Sequence, residues 1–336
     1  MKLITFAVPC YNSAAYMEHC IDTLLHGGEE VEIVIVNDGS KDETGAIADR
    51  YQEKYPTIVR AVHQENGGHG EGVNQGLRNA TGLYYKVVDS DDWLDTDALD
   101  KLLAQLRIFA RMENPVDLVI ANYVYEHVED NTQKVMRLDN VLPQNRIFTW
   151  DDVGHFRVSQ FILMHTAVYR TQVLRDSGMV LPKHTFYVDN VFVYVPLPWV
   201  KTLYYMDIDL YRYFIGRADQ SVTEANIIRR IDQQIRVARI NIAAHDLKEI
   251  KKQNKRLAAY MYHFSAMLIM ICQIYLLISG TEEHLALSRQ LWKELKAYDA
   301  ALYRRMRYFS SNIVFILPRR IVIPIYRLIR RIYKFN

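Results

Sequence analysis

Residues 86–93 read Lys-Val-Val-Asp-Ser-Asp-Asp-Trp, an apolar stretch that ends in three carboxylates within four positions. Like charges at that spacing repel, and they are costly at the edge of a core unless something positive joins them. Asp89 and Asp91, two apart at a strand end, can turn their oxygens toward one hard cation. Mg²⁺ or Mn²⁺ suits such a pair, because the sequence offers no thiolate or imidazole cluster with metal-ligand spacing. The competing reading is helix capping, with Asp91 or Asp92 at the start of a helix near Thr96.

Three other polar turns follow apolar runs: Pro9-Cys10-Tyr11-Asn12, Asn37-Asp38-Gly39-Ser40 and Asn66-Gly67-Gly68. Asp38 could accept a hydrogen bond from a nucleotide base or a ribose hydroxyl, although turn chemistry alone also explains Asp-Gly-Ser. The glycine-rich stretch 65–82 does not fall in the G-x-G-x-x-G phase and follows a third strand rather than a first, which argues against NAD. Close backbone approach to a ligand or a neighbouring loop is the better use for those glycines. Further on, Asp189 stands among Phe186, Tyr187, Val188 and Val191. That apolar setting would raise its pKa toward a range useful for taking a proton from a hydroxyl. A helix-capping aspartate is the alternative.

The elements that must hold these residues alternate. Apolar runs at 3–8, 31–36, 58–62, 83–89 and 116–123 read as strands. The 3.6-residue periodicity places helices after residue 12, from about 41 to 51, over 71–80 and over 96–111. Asn12 or Ser13 is expected to cap the first helix, and Ser40 with Glu43 to form a capping box for the second. Strand and helix alternating in this way predict an α/β fold, a mostly parallel sheet with helices on both faces, followed by a helical C-terminal region. The division expected is 1–223 (with halves 1–123 and 124–223) and 224–336. In such sheets ligands bind beyond the carboxyl ends of the strands, where all four polar turns fall.

The ordered set VPCYN, VNDGSKDET, ENGG…NATG and DSDDW resembles the family 2 glycosyltransferases of GT-A fold, strongly over residues 3–95 and more weakly to about 225. Members are inverting enzymes that use a nucleotide-diphosphate sugar, usually with a divalent cation. The resemblance implies that Pro9, Tyr11 and Asp38 line the nucleotide pocket with Asp38 facing the base. It also implies that Asn12, Gly39, Asn66, Gly67, Gly68 and Ser90 contribute to donor binding, and that Asp91, helped by Asp89, holds Mn²⁺ or Mg²⁺ on the diphosphate. Asp189 matches the position of the catalytic base. Two departures stand out. The family's Ala-Arg before the Asn of its third motif is Gly72-Val73 here, so a cationic contact is missing, and Lys86 or Arg78 is the candidate replacement. The usual Glu-Asp pair is Val188-Asp189. LYRYFIGRADQSV (210–222) resembles the tyrosine-rich strand and basic loop of the family, making Arg217 a second diphosphate contact, with Gln220 and Ser221 near donor or acceptor. A solvated loop arginine is the alternative. Trp93 could floor the sugar pocket or fill the core, and His69, His165 and His184 could meet sugar hydroxyls or serve structure.

Of the 336 residues, nine Lys/Arg and no Asp or Glu lie between Ala300 and Asn336, leaving 32 basic against 39 acidic side chains before them. A net acidic main body argues against nucleic acid. After Pro324 the tail places Ile325, Leu328, Ile329 and Ile332 on one side of a helix, which predicts an anchor on an anionic membrane surface; a helix docked on its own protein is the rival. Residues 257–280 carry no charge and are long enough to span a bilayer, yet His263, Ser265 and Gln273 favour a buried helix. Three unpaired cysteines and the absence of a long apolar leader predict a cytoplasmic protein on the inner membrane face, with oligomers possible. The expected reaction transfers a hexose or N-acetylhexosamine, UDP-linked by family expectation, to a saccharide or lipid-linked saccharide in polysaccharide assembly. The rival enzyme class is a metal-dependent nucleotidyltransferase acting on a sugar phosphate. It would want a basic glycine-rich phosphate loop where this chain has PCYN.

Overall fold

The computed structural model describes residues 1–127, 132–216 and 223–333, with side chains through Leu328. Two compact units make up the chain: residues 1–156 with 160–217, and residues 157–159 with 218–336.

The first unit is built on a ten-stranded sheet: β1 (Ile4–Cys10), β2 (Val31–Asp38), β3 (Val59–Gln64), β4 (Tyr84–Val87), β5 (Trp93–Leu94), β6 (Leu118–His127), β7 (Thr132–Met136), β8 (Ile147–Phe148), β9 (Ala167–Arg170) and β10 (Leu203–Ile215). Its main path runs β3-β2-β1-β4-β9-β6-β10-β5. The first four strands are mutually parallel, as their alternation with helices predicts. The fifth predicted strand does not lie beside β4. The short antiparallel β9 stands between β4 and β6, so the sheet is mixed at its centre. Four residues of strand inside an aromatic, irregular stretch carry too little periodicity to announce that insertion.

The helices of this unit are α1 (Met17–Leu25), α2 (Thr44–Lys54), α3 (His69–Asn79), α4 (Thr96–Phe109), α5 (Thr171–Asp176) and α6 (Asp189–Tyr194). Alternate β1 residues sort to opposite faces. Ile4, Phe6, Val8 and Cys10 join Met17, Cys20, Ile21 and Leu24 of α1 and the α4 leucines in one core. On the other face α3 presses on the sheet through glycines: a side-chain carbon at Gly76 would lie 2.4 Å from Ala7 Cβ, and one at Gly72 would lie 2.8 Å from Pro9 Cβ. Both faces are therefore covered.

Neither expected cap is built as the sequence suggests. Tyr16 occupies the N-cap of α1, whose entry amides at Tyr16 and Met17 donate to the Ser13 carbonyl. Glu43 occupies the N-cap of α2, and the Ser40 hydroxyl accepts the Asn12 amide instead. Both hydroxyls are drawn into loop-to-loop bonds, which compete with local capping.

The second unit is helical: α7 (Glu224–Arg229), α8 (Ile231–Ala244), α9 (Leu247–Gln253), α10 (Lys255–Ser279), α11 (Glu282–Tyr298), α12 (Ala300–Tyr308) and α13 (Arg319–Tyr333). The long apolar α10 is its hub, packed by α8, α9, α11 and α13. Among the described residues it is the one helix long and apolar enough to cross a membrane, and 72% of its most apolar window is buried inside the protein. Gln273, polar within that window, exchanges hydrogen bonds with Ser288 of α11 and so is satisfied internally.

Candidate active site

Parallel β1 to β4 bring their carboxyl ends to one edge, and the loops there are tied to one another. Asn12, at φ +51°, donates its amide to Ser40 Oγ (3.0 Å) and accepts the Lys41 amide at its side-chain oxygen (2.9 Å). Ser13 Oγ meets Ser90 Oγ at 2.8 Å. Asn12 and Ser90 thus fix the loops' mutual geometry. Tyr11 stands half exposed at the rim. Pro9, expected to line the nucleotide pocket, is buried within β1 under the Gly72 backbone of α3.

Asp38 is 2% exposed, and its carboxylate is filled from within. Oδ1 accepts from Gln64 Nε2 (2.6 Å) and the Gly67 amide (2.7 Å); Oδ2 accepts from Asn66 Nδ2 (3.1 Å) and the Gly68 amide (2.8 Å). Four donors match the roughly four lone-pair sites of a carboxylate. These bonds make Asp38 the organiser of the Asn66–Gly68 loop. Gly39 and Gly68 serve that fold through positive φ, +68° and +81°, and a side chain at Gly39 would strike the Asn66 amide at 2.8 Å.

The acidic turn follows β4, and a histidine already meets one of its carboxylates. His69 Nε2 lies 2.7 Å from Asp89 Oδ1, and His165 Nε2 lies 3.8 Å from Asp89 Oδ2. Burial alone would raise Asp89, but the charges and hydrogen bonds of the two imidazoles outweigh it and hold the carboxyl well below the usual range. For His69, burial is outweighed by Asp89, so the imidazole is raised. Asp92 is buried, and its oxygens accept from the Tyr211 hydroxyl (2.6 Å) and the Phe214 amide (2.9 Å). Burial, with the charges of Asp91 and Asp89, pushes Asp92 well above the carboxylate range. Helix capping falls to Asp95, which accepts the Ala98 amide at the start of α4.

The ligand atoms of Asp89, Asp92 and His165 lie within 4.8 Å of one another, with Asp91 half-buried in the same turn. Carboxylate oxygens with an imidazole, in a turn whose own charge strains Asp92, are a donor set that fits a divalent cation.

Lys86, the candidate replacement for the missing cationic contact, lies inside the sheet. It is fully buried, donates to the His165 carbonyl (2.6 Å), and is held near a pKa of about 7 by burial against the pull of Asp89 and Asp92. Arg78 pairs with Glu71 at 2.8 Å.

Asp189 reaches the cluster because α3 holds the segment before it. Asn74 donates to the Leu181 carbonyl (2.9 Å) and accepts the Leu181 amide (3.0 Å). The His184 amide donates to the Gly67 carbonyl at 2.8 Å, and a side chain at Gly68 would press on the His184 backbone. His184 and Tyr187 sit at φ +48° and +64°, a conformation that bulky residues keep only where their surroundings impose it. Val188 takes the N-cap of α6, and Asp189 opens the helix. Burial raises the Asp189 carboxyl, with His165 and His69 opposing and Asp89 adding to the shift. The two carboxylates are thus driven in opposite directions, Asp89 down and Asp189 up.

Arg217, Gln220 and Ser221 lie outside the described residues. Trp93 stands edge-on to His19 at 5.1 Å. Sequence reading did not foresee that His69 and His165 would flank Asp89, or that Tyr211 would fasten the acidic turn, because those partners are far apart in the chain.

The description "Glycosyl transferase family 2" matches residues 5–172. The glycosyltransferase EpsJ of Bacillus subtilis is 27% identical over 196 residues, 56% of this chain and 54% of EpsJ. The chain spans about half the length, or less, of the curated relatives it matches. Staphylococcus aureus TarS, solved with UDP-GlcNAc, superposes with a TM-score of 0.56 at 19% identity, over 91% of this chain and 90% of that one. The mannosyltransferase PcManGT of Pyrobaculum calidifontis, solved with GDP-Man and Mn²⁺, has a TM-score of 0.50 at 17% identity, over 90% and 81%. These two likenesses are of fold, and the fold is GT-A. With its sheet, its acidic turn and the family's motifs in their order, the chain belongs to glycosyl transferase family 2.

Proposed function

We propose that this glycosyltransferase inverts configuration as it moves a hexose or N-acetylhexosamine from a UDP-sugar to a saccharide, carried on a lipid, during surface or exopolysaccharide assembly at the cytoplasmic face of a membrane. Donor class is supported by the UDP-GlcNAc and GDP-Man held by the two structural neighbours. One observation carries the reading: Asp189, raised by burial, stands within the electrostatic reach of Asp89, which His69 and His165 hold ionised.

In a single displacement the acceptor oxygen bonds to the anomeric carbon as the bond from that carbon to the diphosphate breaks. Asp189 takes the acceptor's proton, and the electron pair of the broken bond leaves on the nucleoside diphosphate. Asp91 and Asp89 would hold a divalent cation, Mn²⁺ or Mg²⁺, which would supply charge neutralisation for that leaving group. The Asp38-organised glycine loop presents backbone at the same edge, and Arg217 with Ser221 completes the donor contacts. Nucleotidyl transfer is disfavoured by the turn after β1, which lacks a basic glycine-rich phosphate loop and where Asn12 is committed to Ser40 and Lys41.

The test is a panel of UDP- and GDP-sugars assayed for released nucleoside diphosphate with and without Mn²⁺. Cation-dependent release from one UDP-sugar is expected. Pyrophosphate released from a nucleoside triphosphate and a sugar phosphate would overturn the reading.

A further inference from the structure

The C-terminal unit turns outward an apolar surface that its own packing does not use. Its last elements dock on α10 through one set of side chains. Asn312 Nδ2 donates to the Ala266 carbonyl (2.9 Å), Phe315 and Val322 are buried, and the Tyr326 hydroxyl meets that of Tyr275 at 3.3 Å. The other set comprises Phe309, Ile313, Ile316, Leu317, Ile321 and Leu328, and all six are exposed, Phe309 by 80% and Leu328 by 59%. Six large apolar side chains left exposed within residues 309–328 mark an interaction segment rather than a solvated one. Ile321 and Leu328, two helical turns apart, share a face of α13, with exposed Arg320 and Arg327 beside them. A cavity of about 190 Å³ adjoins the same surface, lined by Phe309, Met267 and Met270.

Charge selects the partner. The segment from Ala300 onward holds nine Lys/Arg and no acidic residue. A second copy of the chain would bring two such segments together in mutual repulsion, whereas an anionic lipid surface complements both the apolar side chains and the charge. We propose that Phe309, Ile313, Ile316, Leu317, Ile321 and Leu328 form a docking surface for an anionic phospholipid bilayer. These side chains enter the boundary between headgroups and acyl chains while the arginines meet lipid phosphates. The surface differs from the one read from the sequence: it begins at Phe309, ahead of Pro324, and Ile325 is only partly exposed. It makes no use of the donor site.

The full chain is sedimented with phosphatidylcholine vesicles and with vesicles that also contain phosphatidylglycerol, at low and high salt, while UDP binding is titrated in parallel. Wild type should pellet with the anionic vesicles alone and be released by salt. The double variants Phe309→Ser/Leu328→Ser and Arg320→Gln/Arg327→Gln should each lower the bound fraction roughly tenfold with melting temperature and UDP binding unchanged. Equal pelleting of wild type and both variants, or a wild type that stays in the supernatant, overturns the proposal. So does a dimer that Phe309→Ser/Leu328→Ser converts to monomer without lipid binding. Loss of UDP binding in wild type would instead count against the donor reading and leave this surface untouched.

Discussion

Tyr211 donates its hydroxyl to Asp92 at 2.6 Å, and the same oxygen accepts the Asp89 amide at 3.1 Å. A strand far along the chain thereby sets the shape of the acidic turn. Tyr211→Phe leaves both groups without that partner, at a cost of about 1–3 kcal/mol for a buried polar group. Lower melting temperature and a higher Mn²⁺ concentration for half-maximal turnover are expected; an unaltered Mn²⁺ requirement would show that the turn keeps its geometry unaided.

Asp189→Asn removes the proton acceptor while preserving shape. Transfer should fall by roughly 10²–10⁴-fold, the usual worth of a general base, while calorimetry shows UDP binding retained. Asp91→Asn should do the reverse, abolishing the effect of Mn²⁺ on UDP affinity. Normal turnover by Asp189→Asn would sink the base assignment.

Lys86 titrates near 7 in the folded chain, far below its ordinary 10.5. Above 10.5 neither state is protonated. As pH falls from there toward 7, the unfolded chain gains a proton that the folded chain refuses, so stability is lost across that window and levels off below it. Wild type should therefore melt higher at pH 9 than at pH 7. Lys86→Met, which keeps the buried stem, should flatten that slope in a pH series of thermal melts.

Gly76 allows α3 to lie on β1, since a methyl there would meet Ala7 Cβ at 2.4 Å and the Tyr85 hydroxyl at 2.8 Å. Gly76→Ala should cost about 1–3 kcal/mol through overpacking. A urea midpoint equal to wild type would mean that the helix shifts freely.

What the sequence makes legible follows from the range of the interactions. β1 to β4 and their helices are local, periodic elements, and they stand where periodicity places them. β9 is inserted by long-range pairing that a run of Ala-Val-Tyr-Arg does not announce. The acidic turn is legible in the spacing of its carboxylates, yet the counter-charge on Asp89 is an imidazole from the start of α3, and nothing in local spacing links His69 to Asp89. Asp38 reads from the sequence as an acceptor in a glycine turn, while its four donors come from residues 64–68, remote in the chain. The burial of Lys86 is not legible from its own position, because it depends on its strand being enclosed on both faces.

The two-point clasp of Asn74 on Leu181 bears on how this fold can be recombined. It couples the donor-side helix to the residues that deliver Asp189, although a cut between residues 123 and 124 would assign them to different parents. A hybrid joined there would inherit an Asp189 whose placement depends on the other parent's residue at position 74. Second halves are thus exchanged with less disturbance of Asp189 when α3 travels with them.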